Sequence, residues 1–168
     1  MSINNWKFYT FNEVYDNNLN FNENNDYGNN SHINIENCKV YGSGDIHGDF
    51  YLLMNILLDL CKIVIIKDEN KYKHFLKASI QEFPKYLDSL KNKEGIENIG
   101  IEWHNDIKSN TFLVLCGDLI DNKRNDNFDL QEVYGDNYIP YVELKILYLI
   151  YYLNYKARNM KNVGIIKV

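Results

Sequence analysis

The chain has 168 residues, 45% of them hydrophobic, and a formal net charge of −5. That length holds one domain with a core of its own rather than two, and the apolar share excludes a wholly disordered chain. The negative balance argues against a protein that coats nucleic acid, because phosphate-backbone binding needs a basic surface. It leaves room for a small, locally cationic or metal-bearing site.

In chain order, residues 12–34 are a polar tract with scattered aromatics and no sustained period, so residues 1–34 are expected to form a loosely ordered arm, with His32 solvated in it. The start of the chain lacks the basic stretch and apolar run of a signal peptide. Order is expected from Ile35, with a short strand centred on Cys38–Tyr41 that ends in glycines. Asp49 can cap a helix whose apolar positions, Phe50, Leu53, Met54, Leu57, Leu58 and Cys61, recur at helical spacing. The run from Lys62 to Lys67 extends that helix or forms a short strand; the pattern does not separate the two. Lys71 to Lys91 reads as a charged helix with His74 on its surface and a kink or break at Pro84.

Two strands are expected next, over "GIENIGIEW" and "NTFLVLCGD", the second apolar throughout and suited to the centre of a sheet. After a polar loop over residues 122–139, Pro140 opens a long helix with the stripe Val142, Ile146, Leu149, Ile150, Leu153 and Ala157. Its longest apolar run, Ile146 to Leu153, is far shorter than the ~20 residues of a membrane span, so a cytoplasmic protein with no membrane partner is expected. "NVGIIKV" is a last strand. The alternation implies an α/β protein with a largely parallel core sheet flanked by helices. The three cysteines, Cys38, Cys61 and Cys116, show no CxxC spacing, which argues against a disulfide framework or a zinc–thiolate site and makes small buried hydrophobes of all three.

In parallel sheets the ligand site lies beyond the carboxyl ends of the strands. Two Gly-Asp corners fall at such ends, in "GDIHGD" (Gly44–Asp49) and "CGDLIDN" (Cys116–Asn122). Asp45 and His47 flank one residue and can present both side chains to the same side; Asp118 leaves the end of another strand. Were the strands neighbours, two carboxylates and an imidazole would converge, a donor set suited to a divalent ion such as Mn, Fe, Zn or Mg. A single Gly-Asp is most often a turn or a helix cap; the compound pattern is far more demanding. A phosphate-cradling nucleotide loop is the weaker reading, because "YGSGDIHGD" has neither GxGxxG nor a Walker-type lysine.

These residues carry a resemblance. From about Cys38 onward the chain resembles the N-terminal half of a calcineurin-like metallophosphoesterase, the superfamily that includes the Ser/Thr phosphoprotein phosphatases: "GDIHGD" matches the first family signature and "GDLIDN" the second. The resemblance implies that residues 35–168 are the N-terminal part of a metallophosphoesterase α/β sandwich, with the C-terminal half missing. It implies hydrolysis of a phosphate ester by a dinuclear centre of Mn, Fe or Zn ions, on a phosphorylated substrate of unknown class. Asp45 and His47 would bind the first metal, Asp118 would bridge both, and Asp121 would orient a catalytic histidine.

The departures are specific. Asp45 and Asp118 lie 118 − 45 = 73 residues apart, which makes the charged segment around Lys71 to Asn98 an insertion. Asn122 replaces the arginine that follows the second signature, leaving Arg124 either as the candidate phosphate contact or as a solvated loop residue. The third signature is absent, and His104 is the spare histidine nearest a strand end. Asp126, Asp129 and Asp136 read as a solvated acidic loop. Asp45, His47 and Asp118 would therefore hold at most one ion well. The rival expectation is a truncated, non-catalytic metal-binding or interaction remnant, with an exposed sheet edge that another chain completes.

Overall fold

A computed structural model gives the fold and describes residues 38–91, 95–120, 135 and 138–167. The expected N-terminal arm lies outside the described residues. Three strands form a parallel sheet: β1 (Lys39–Ser43), β4 (Ser109–Leu115) and β5 (Lys161–Lys167), in the order β1-β4-β5. As expected, β4 is central, with Phe112 and Leu113 at 3% and 0% exposure. Two further strands, β2 (Val64–Ile66) and β3 (Ile101–Trp103), pair antiparallel as a separate sheet. The run from Lys62 to Lys67 is thus a strand, and its partner is the strand expected in "GIENIGIEW".

Helix α1 (Phe50–Asn55) is capped by Asp49, whose Oδ1 accepts from the Leu52 amide at 2.9 Å. It runs into a π turn over Ile56–Leu60, so the expected single amphipathic helix changes pitch before Cys61. The charged stretch from Lys71 divides into α2 (Glu69–Lys77), capped by Asp68, and α3 (Pro84–Lys91). Pro84 opens α3 rather than kinking a longer helix, because a first-turn residue needs no amide hydrogen.

This segment belongs to the core. Phe75, Phe83 and Tyr86 are each at most 1% exposed. They cluster with Tyr148 at centroid separations of 5.3 to 6.4 Å. Helix α4 (Val142–Ala157) supplies Tyr148 and carries its expected apolar stripe against α1, β3 and β5. Polar bonds fasten it as well: Trp103 Nε1 donates to Leu153 O, and Tyr148 Oη to Glu97 O. None of the three cysteines is buried as expected: Cys38 and Cys61 are half-buried, and Cys116 is exposed just past the end of β4. Among the described residues no helix is long and apolar enough to cross a membrane.

The sheet edge at β5 is not bare at its centre. The side-chain amide of Asn154 donates to Ile165 O at 2.9 Å and accepts from Ile165 N at 2.7 Å. A single carboxamide from α4 thereby stands where a neighbouring strand would bond.

Lys145, fully buried in α4, donates to Leu76 O at 2.8 Å and Ala78 O at 2.9 Å, satisfying carbonyls at the end of α2. Burial, aided by the charge of Lys77, lowers its pKa from 10.5 to about 8. The folded state then holds this proton less tightly than the unfolded chain. Its contribution to stability is accordingly full above 10.5 and is lost as pH falls towards 8, below which it is flat. Lys145→Met should abolish this slope and, by stranding two carbonyls, cost about 1–3 kcal/mol at neutral pH. Urea midpoints of both proteins from pH 7 to pH 10 check this.

Candidate functional site

The parallel pairing of β1 and β4 sets Ser43 beside Leu115, so both Gly-Asp corners leave the same end of the sheet. The ladder continues past the strands, with Cys116 N donating to Ser43 O at 2.8 Å. The amides of Ile46 and His47 then converge on Asp118 O at 2.8 and 2.9 Å, and Gly48 N reaches Leu119 O at 3.0 Å. Two successive amides meet one carbonyl because the chain curls: φ is +49° at His47 and +74° at Gly48. Glycine takes that conformation freely, whereas His47 takes it against crowding by its Cβ.

The second corner returns a bond of its own. Asp118 N donates to Asp45 Oδ1 at 3.1 Å. Gly117 (φ +88°) lies so close that a Cβ built on it would stand 1.8 Å from the same oxygen. The carbonyl of Gly117 accepts in turn from Lys167 Nζ, at the carboxyl end of β5.

Of the three side chains expected to converge, two do. Asp45 Oδ2 lies 3.5 Å from His47 Nε2, the carboxylate more than half exposed and the imidazole mostly covered. Two donors of one tetrahedral ion with bonds of about 2.1 Å stand about 3.4 Å apart, so this pair has the spacing of two adjacent ligands and the oxygen–nitrogen chemistry of a Zn- or Mn-type site. Asp118 is exposed and joins the corner through its backbone N–H and C=O. No group of three His, Cys, Asp or Glu able to hold an ion forms among the described residues. The fit is therefore to one ion held by two side chains, not to a bridged pair.

Asp121 and Arg124, and with them Asp126, Asp129 and Asp136, lie outside the described residues. Asp49 is spent on its own helix, where it fills a donor that a phosphate would otherwise use. His104 does not serve this end of the sheet. It follows β3 and precedes the start of β4, whereas Asp118 follows the end of β4, and strand β4 spans seven residues between them. His104 instead lines an open groove of about 330 Å³ with Glu102, Trp103, Lys108 and Lys156, and its Nδ1 accepts from the Asp106 amide at 3.2 Å. Sequence reasoning gave Lys167 no part in the corner. The available signal was a cation one residue beyond the apolar run of a strand whose neighbour ends in Gly-Asp.

No family model, no curated protein and no solved structure matches this chain.

Proposed function

We propose that the chain is a calcineurin-like metallophosphoesterase, acting on phosphate esters through a water activated by divalent metal ions. The observation that supports this reading is the corner itself. Asp45 and His47 stand 3.5 Å apart on a turn held by the backbone of Asp118 and Leu119, at the carboxyl ends of two adjacent parallel strands. Asp45 and His47 would hold one ion, with the exposed Asp118 carboxylate turning in as a further donor to it. Bound divalent ions supply a water of lowered pKa and offset charge on the phosphoryl oxygens. The chain's own contribution is to fix the two donors before an ion arrives: Asp118 orients one carboxylate oxygen, and the curl at His47 and Gly48 turns the imidazole toward the other.

A second reading, an ion-binding module without turnover, is favoured by one observation. The side chains that converge are those of Asp45 and His47, while Asp118 joins the corner through its backbone, an arrangement that suits holding an ion more than a bridged catalytic pair. Hydrolysis of p-nitrophenyl phosphate with Mn, Fe, Zn and Mg separates the two. Under the first reading, activity depends on the ion and falls by roughly 100-fold or more in Asp45→Asn and Asp118→Asn. Activity surviving Asp118→Asn would reject the site assignment, and ion binding without hydrolysis would select the second reading.

A further inference from the structure

We propose that Lys167 is a positioning residue for the Asp45–His47 pair, acting through the peptide that joins Gly117 to Asp118; the inference rests on reading that pair as an ion site. That peptide carries a bond on each of its polar groups. Its carbonyl oxygen accepts from Lys167 Nζ, and its amide donates to Asp45 Oδ1 at 3.1 Å. In a trans peptide the two groups point in opposite directions from one rigid plane. Lys167 and Asp45 therefore stand on opposite sides of it, and a tilt that weakens one bond weakens the other.

The plane needs such a hold. It follows Gly117, a residue whose φ of +88° is open to it only for want of a Cβ, and glycine is the residue least able to fix a neighbouring peptide. The strands supply the clamp: β5 runs beside β4, with Lys167 in register with Leu115, two residues before Gly117. A bond from an ammonium is about twice as strong as one between neutral groups, and bonds in series polarise one another, so the cation also strengthens the amide as a donor to the carboxylate. The third strand of the sheet thus takes part in a site whose named residues come from the other two.

Lys167→Met and Lys167→Arg, compared with wild type, test this by two readouts. The first is hydrogen exchange at the Asp118 amide, with the Leu113 amide inside β4 as control. In Lys167→Met exchange at Asp118 should speed up about tenfold while Leu113 is unchanged, and in Lys167→Arg both should stay near wild type. The second is Mn(II) binding followed by paramagnetic resonance. Affinity should fall roughly tenfold in the Met variant and be restored in the Arg variant, the scale on which residues supporting metal ligands act. Unchanged Asp118 exchange in Lys167→Met overturns the proposal. So does tighter Mn(II) binding, the result expected from removing a nearby positive charge and nothing else. Should wild type bind no Mn(II), the ion-site reading fails by itself, and the exchange comparison still decides the role of Lys167.

Discussion

Gly117→Ala is expected to lower stability by roughly 2–4 kcal/mol, the sum of a left-handed residue acquiring a Cβ and of the Asp45 carboxylate losing its bond from the Asp118 amide. The overlap has one direction to relax in. The added carbon would stand 1.8 Å from Asp45 Oδ1, so the carboxylate must move, and its bond from the Asp118 amide goes with it. Loss of stability and loss of ion binding should therefore appear together in this variant. Gly42→Ala is the control: a Cβ there meets nothing within 4 Å, and the change should stay within about 0.5 kcal/mol. Urea unfolding measures the first effect and Mn(II) titration the second. Equal stability of the two alanine variants would mean that the corner is looser than its hydrogen bonds indicate.

Asn154→Leu should cost a similar amount, about 2–4 kcal/mol, for a different reason. The substitution preserves volume but leaves the N–H and C=O of Ile165 without their partner at a site where Asn154 is 3% exposed. Asn154→Asp adds a test of sign. It keeps an acceptor for the Ile165 amide, loses the donor to the Ile165 carbonyl and buries a charge. Its deficit should shrink on acidification, because the protonated acid regains a donor. Thermal unfolding of both variants at neutral and acid pH reads this directly.

How much was legible in the sequence follows from which interactions side-chain identity controls. The stripe from Val142 to Ala157 gave α4, because burial against β5 and α1 selects residues at its period. The apolar run of β4 likewise gave a central strand. The π turn at Ile56 was not legible: one added residue in the ladder leaves Leu57 and Leu58 apolar either way. Pro84 signals a kink or a break without deciding between them, and the gap before it was hidden because Ser79 to Phe83 do not look like a turn. Nothing in "GIENIGIEW" states which sheet it joins, since pairing partners are set by the tertiary fold. At the site, both Gly-Asp corners and their shared end of the sheet were foreseen from motif and alternation. The way Asp118 engages its neighbour was not, because backbone amides and carbonyls are the same in every residue and leave no trace in the sequence.

The pairing of β1 with β4 has a kinetic consequence. Lys39 pairs with Thr111, a separation of 111 − 39 = 72 residues, with α1, α2, α3 and the paired strands β2 and β3 in between. Closing so long a loop brings no contact energy until the strands meet, so this step is slow compared with forming the helices. Asp45 and Asp118 come together in that same step. The corner therefore cannot serve as an early nucleus: it assembles only as the two strands dock, and an ion that needs both sides of it would slow their separation rather than hasten their meeting.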